Sequence, residues 1–353
     1  MTSVAEIRLP TADLHQDLPF FETLGFRLDL IHPADDPAVA VISGHGLRIR
    51  LQRGAAEAPG TIRILTDDPA LAGGVRALLS PSGHRIEIAP PGEELPAPKA
   101  EPAFLVQRLS DGAPWVIGRA GMHYRDLAPG RLGGAFIASH IRIPEGGPVP
   151  DMVHFHEVGF QLIFCHAGWV DLVYEDQGPP FRLHAGDCVI QPPRIRHRVL
   201  HASDMLEVVE IGAPADHVTR IDHAMTLPTE AHRPERVFDG QVFLLHREAG
   251  AEWRPAARPG FIHRDTGVAR ATGGVAAVHV LRPTGEGEAA PLASEADIHF
   301  TFLRAGSMRL EAAGQAPRLL EAGDAFTTPP GLATTYAAPS ADLELLEVTM
   351  PRA

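Results

Sequence analysis

From residue 104 onward the sequence matches itself at an offset that drifts only from 137 to 140, so the chain carries two copies of one fold unit. Phe104-Leu105-Val106 recurs as Phe243-Leu244-Leu245, Gly121 through Arg125-Asp126 as Gly260 through Arg264-Asp265, and Gly133-Gly134 as Gly273-Gly274. His140 pairs with His279, Gly168 with Gly306, Gly186-Asp187 with Gly323-Asp324, and Leu206-Glu207-Val208-Val209-Glu210 with Leu343-Glu344-Leu345-Leu346-Glu347. Between these turns both copies alternate apolar and polar residues with period two, the signature of strands with one buried face. The 34 glycines and 33 prolines fit that reading, because 44% hydrophobic residues leave enough apolar surface for cores and assign the excess to turns. A mainly β protein with two barrels, over 103–225 and 236–353, is the expectation.

Ahead of the repeat, residues 1–90 read as a separate α+β domain. Glu6 to Leu9 is predicted as a strand and Ala12 to Leu24 as a helix, with Leu14, Leu18, Phe21 and Leu24 at helical spacing and Gly25 as its stop. Strands follow at Val39 to Ile42 and Leu47 to Gln52, then a β-α-β over Thr61 to Thr66, Pro69 to Leu79 and Arg85 to Ile88. Residues 91–102 are proline-rich without periodicity and read as a linker.

The formal charge of −13 argues against nucleic acid and anionic membranes as partners. No run of about 18 apolar residues predicts a membrane span. Two cysteines cannot build a disulfide framework, and the start MTSVAEIRLP lacks the basic-then-apolar pattern of an export signal, so a soluble, cytoplasmic protein is expected.

The chemistry concentrates in the first copy. His154 and His156 stand two apart, and on a strand such residues share a face, whereas on a helix they diverge by about 200°. Gln161 follows five residues later and Gly168 seven beyond it; a second run, GDCVIQPPRIRHRVLH, turns at Gly186 and brings in His197. Three imidazoles and an amide oxygen suit one first-row divalent metal. Gln161 either coordinates or holds a bound water. His201, at the strand parity of His197, is the candidate acid-base or ligand-orienting residue, with a structural role as the alternative. Cys165 reads as a small hydrophobe, Arg125-Asp126 as a fold-stabilising pair or turn, and His166 and His184 as rim residues. Arg142, on one strand face with His140, would clamp an anion only if that face points inward. In the second copy Leu292, Ser294, His299 and Thr334 occupy the positions of His154, His156, Gln161 and His197, so no metal is expected there.

At His154, His156, Gln161 and Gly168, and at Gly186, Pro192 and His197, the chain resembles the cupin superfamily of double-stranded β-helix barrels. Arg194 stands where that family's second motif has glycine, His201 where it has asparagine, and Gln161 where it has glutamate. The resemblance implies a bicupin whose first barrel alone holds a metal. Residues 1–90, with DLHQDLPFFETLGF, resemble the vicinal-oxygen-chelate (glyoxalase-like) superfamily, which places a metal ligand where this chain has Glu6; the shortened second module implies that this domain lacks metal.

Three neutral imidazoles and an amide leave the ion's charge uncompensated, so the expected substrate is a small, oxygenated, anionic molecule. With Fe(II), the favoured ion, the resemblance implies dioxygenase-type chemistry; with Zn, Ni or Mn, an isomerase, cyclase or hydrolase. A non-catalytic small-molecule-binding or sensing protein is the alternative from another class. Analogy with cupins suggests a homodimer.

Overall fold

The computed structural model describes residues 5–33, 37–90, 98–285 and 289–351. The chain divides into two compact units, Met1–Glu94 and Leu95–Ala353. Most of the proline-rich segment between them, residues 91–97, lies outside the described residues.

In the first unit the helix Leu14–Thr23 is capped by Asp13, whose carboxylate accepts from His15 N at 2.9 Å. It buries Leu14 and Phe21 against a sheet in which Ile7–Thr11 runs parallel to Leu47–Arg53, followed outward by Val39–Gly44 and Arg27–His32. That last strand, exposed along its whole length, has no buried face to betray it in sequence. Instead of a helix over Pro69 to Leu79 there is a 3₁₀ turn at Leu71–Gly74 and a strand at Ala77–Leu79. Ala72, Gly73 and Gly74 all adopt positive φ, which an α-helix forbids. Glu6 is occupied by arginine, accepting from Arg48 Nε at 3.2 Å and Arg50 Nε at 3.0 Å.

The second unit holds both barrels and three apolar cores. Met122, Ile141, Cys165, Leu172 and Tyr174 belong to the interior of the first barrel; Phe261, Leu281, Met308, Leu310 and Tyr336 to that of the second. Phe136, Phe160, Leu162 and Phe164 from the first copy pack with Val278, Phe300, Phe302 and Val348 from the second in a shared layer. Period two accounts for this division, since along Phe160–Ala167 the even residues Phe160, Leu162 and Phe164 enter the shared layer while Cys165 enters the first barrel.

The copies also exchange strands. Leu105–Gln107, which opens the first copy, pairs with Ala325–Thr327 of the second, and Leu244–His246, which opens the second, pairs with Cys188–Ile190 of the first. The repeated Gly-Asp turns anchor the exchange: Asp187 accepts from Glu248 N and Asp324 from Leu109 N, each at 2.8 Å. Two fully buried arginines complete it, Arg125 donating to Gly323 O at 2.6 Å and Arg264 to Gly186 O at 3.1 Å. Arg125 therefore ties barrel to barrel, while its neighbour Asp126 caps a turn through Ala128 N.

The pairing of His140 with His279 is off by one residue. Arg125 lies opposite His140, but Arg264 lies opposite Val280 and Asp265 opposite His279. A one-residue slip turns a side chain to the other face: His140 packs at the shared layer against Phe302, while His279 lines the second barrel's cavity.

Candidate functional site

Three strands bring the histidines together. His154–Glu157 places His154 directly opposite His197 on His197–Ala202, and His156 opposite Thr219 on Val218–Ile221. All three rings are buried, and their ligand atoms lie within 4.8 Å of one another. His154 Nδ1 donates to Met152 O at 2.8 Å and His197 Nδ1 to Ile195 O at 2.9 Å, while His156 Nδ1 meets the Thr219 hydroxyl at 2.8 Å. Backbone carbonyls only accept, so the proton sits on Nδ1 of His154 and His197 and the lone pair on Nε2, the tautomer a metal requires. Tyr174, opposite His197 on the next strand, stacks on its ring with centroids 5.5 Å apart.

Gln161 is fully buried on Phe160–Ala167. Its Nε2 donates to Glu210 Oε1 at 2.5 Å, which fixes the amide's orientation and leaves Oε1 a buried acceptor with no hydrogen-bond donor. A buried carbonyl oxygen without a donor is costly. Three imidazoles with ligand atoms this close to one another are a donor set a first-row divalent ion takes, so the residues present fit such an ion.

His201 departs from expectation. Asp171 pairs with His201 and Leu172 with Val199, leaving Leu200 as an extra residue in its strand. This bulge reverses the parity beyond it, so His201 is exposed while Ala202 is buried. The shared parity that would have turned His201 inward with His197 is therefore absent.

Arg142 also points away from the first barrel's interior. It ion-pairs with Glu207 at 2.7 Å and lies over the Trp115 ring, beside His140, whose Nε2 meets Glu207 at 2.7 Å. His166 joins that group and is not a rim residue; burial pushes its pKa down to about 4. Burial likewise pushes the Cys165 thiol up to about 12, which leaves it an inert hydrophobe.

Sequence reasoning missed Glu210 and His217. Glu210 lines, with His197 and Gln191, a cavity of about 70 Å³ otherwise walled by aliphatic side chains, Met122 and Tyr124. Its recurrence as Glu347 was the available signal, since a carboxylate kept at an inward-facing position in both copies is not packing. His217 places its ring 5.3 Å from that of His156. Among the described residues no arginine or lysine lines this cavity.

Residues 139–211 match the cupin domain. In structure the chain is similar to protein Ylba from E. coli, at 14% identity and TM-score 0.53 over 74% of this chain and 96% of that one. It is similar to a salicylate 1,2-dioxygenase from Pseudaminobacter salicylatoxidans, at 16% identity and TM-score 0.51 over 73% and 87%. An oxalate decarboxylase from Lactobacillus farciminis aligns at 13% identity and TM-score 0.52 over 70% and 86%. No curated protein matches the chain in sequence. At such identities the likenesses establish the architecture, a mainly β cupin fold. Among the described residues no helix is long and apolar enough to cross a membrane.

Proposed function

We propose that the first barrel is a metal-dependent enzyme site acting on a small oxygenated molecule by oxidative cleavage. The observation that supports this reading above all others is the convergent trio His154, His156 and His197, two of them tautomer-fixed by backbone carbonyls, beside a narrow apolar cavity. A divalent ion held by the three rings, with Gln161 Oε1 as a fourth donor, supplies Lewis acidity and, as iron, the redox capacity that dioxygen chemistry needs.

Size and charge narrow the substrate. A volume of about 70 Å³ admits roughly five waters, or the same number of non-hydrogen atoms, so the reacting end is closer to a short hydroxy acid or diketone than to a catechol ring. Glu210 changes the balance drawn from Gln161 alone, because one carboxylate beside three neutral imidazoles leaves a single positive charge to be matched. A singly ionised oxygen donor such as an enolate or monocarboxylate suits that charge. Glu210 is also the carboxylate placed to take a proton from the substrate, with Gln161 Nε2 holding it in position.

That carboxylate favours one second reading, proton transfer without dioxygen in an isomerase or hydrolase on zinc, nickel or manganese. Metal analysis of the purified chain, followed by oxygen uptake across short diketones, hydroxy acids and catechols, separates the two. Stoichiometric iron with uptake supports oxidative cleavage. Zinc with turnover but no uptake supports proton transfer, and a metal-free protein without turnover reduces the barrel to a binding module. Glu210→Gln is expected to lower turnover by about 10²-fold with metal content unchanged.

A further inference from the structure

The second barrel has lost the metal ligands but not its interior. A cavity of about 300 Å³ opens there, lined by Arg258, His263, His279, Ser294, His299 and Glu347 together with Ala257, Leu281 and Leu292. Leu292 faces Thr334 across a bridge as His154 faces His197 in the first barrel, so these residues stand at the lost ligand positions. Arg258 is now attached to that place: Nη1 donates to Thr334 O at 2.8 Å, Nη2 to Thr334 Oγ1 at 3.2 Å, and the guanidinium lies 3.5 Å from the Tyr336 ring centroid. Only 4% of Arg258 is exposed, and its Nε has no acceptor. Arg258 forms no ion pair with another described residue. A guanidinium in the wall of a cavity, without an ion-pair partner among the described residues, calls for an oxyanion.

The rest of the polar lining is of another kind. His299 Nε2 lies 3.1 Å from Glu347 Oε2 and its Nδ1 2.8 Å from Thr328 Oγ1, while Glu347 sits opposite His279 in the ladder and the His263 and His279 rings are 4.8 Å apart. Burial alone would raise the Glu347 pKa, but the His299 hydrogen bond and charge, with Arg258, hold it below the ordinary value. An ionised carboxylate in this lining repels a second anion and accepts a hydroxyl donor. Among the described residues these groups do not converge to ligand distance of one ion.

We propose that the second barrel is a metal-independent binding site for a small hydroxycarboxylate, its carboxylate at the Arg258 guanidinium and its hydroxyl at Glu347. This inference does not rest on the metal chemistry of the first barrel. A cavity of half this size is known to accept a benzene ring, so an aromatic hydroxy acid fits.

Calorimetric titration of the full chain with mandelate is the test. One equivalent is expected to bind, with mandelamide at least tenfold weaker for want of the charge and phenylacetate severalfold weaker for want of the hydroxyl. Arg258→Met should weaken mandelate at least tenfold and His154→Ala should leave it unchanged. Because a buried arginine variant can fail to fold, Ala257→Trp serves as the second probe: Ala257 is exposed on the cavity wall, and the indole should block entry. Absent saturable binding, equal affinity for mandelamide or phenylacetate, or undiminished binding in Ala257→Trp overturns the proposal. So does a second equivalent of zinc that Glu347→Gln removes.

Discussion

Gln161 and Glu210 divide between them what one carboxylate could do alone, since the amide offers a neutral oxygen and uses its NH₂ to hold the acid at 2.5 Å. Gln161→Glu would put a buried carboxylate in contact with the half-buried one of Glu210, and without a cation one of the two is expected to stay protonated, with its pKa raised above the unfolded value. A group so raised stabilises the fold below its unfolded pKa and loses that stabilisation as pH rises through the folded one. Relative to the native protein, metal-free Gln161→Glu should therefore lose more stability at pH 8 than at pH 5 in urea unfolding, and a divalent ion should restore stability at pH 8. Gln161→Ala should weaken metal affinity about tenfold without this pH dependence, and metal affinity unchanged in both variants would place Gln161 outside the coordination sphere. The three histidines were legible because strand parity is a local rule that held through His154, His156 and His197. His201 was not, since one extra residue at Leu200 breaks that rule and only the pairing with Asp171 and Leu172 reveals it.

At the scale of elements, the repeat foretold two barrels but not whose strands build them. Phe104-Leu105-Val106 and Phe243-Leu244-Leu245 look alike because each performs the same task in the other copy's sheet, and sequence carries no mark of which edge a strand will join. The Gly-Asp turns were visible as repeat matches; their function was not, because Asp324 serves Leu109, a residue far away in sequence. Asp324 also accepts from Glu321 N at 2.9 Å, so Asp324→Ala orphans two backbone donors at once. A loss of about 2–4 kcal/mol in urea unfolding is expected, with hydrogen exchange at Val106 accelerated more than at Leu245, where Asp187 still anchors the reciprocal strand. Equal acceleration at both sites would mean that the exchanged strands open as one unit. Arg194 shows the converse, a departure visible in sequence whose cost needed coordinates: it adopts φ +64 where the resembled motif has glycine, and its N donates to His156 O at 3.0 Å.

Across the molecule, charged groups interrupt the apolar layer between the barrels: Arg125 and Arg264 tie the two copies, and His140, His166, Arg142 and Glu207 gather beside Phe302. Acid should act on this layer in two windows. Burial lowers the His166 pKa from 6.5 to about 4, so below pH 6.5 the unfolded chain takes up a proton the folded one refuses, and stability falls until about pH 4. That interval corresponds to about 3 kcal/mol. Glu207 follows: although burial opposes ionisation, His140 and Arg142 hold its pKa down at about 2, so the stability it contributes is present above 4.5 and is lost as pH falls through 2. Both slopes have the same sign, and they can be told apart by substitution. His166→Phe keeps a ring beside His140 and Phe302 and removes the His166 share of the upper titration, so its unfolding free energy should fall less steeply from pH 6.5 to 5 than that of the native protein. The remaining slope comes from His140, His246 and His279, whose pKa burial also lowers; both proteins should then fall in the Glu207 window. Denaturant unfolding at half-unit pH steps reads this directly, and parallel curves for the two proteins would mean that His166 is not held against His140 and Phe302 as the structure has it.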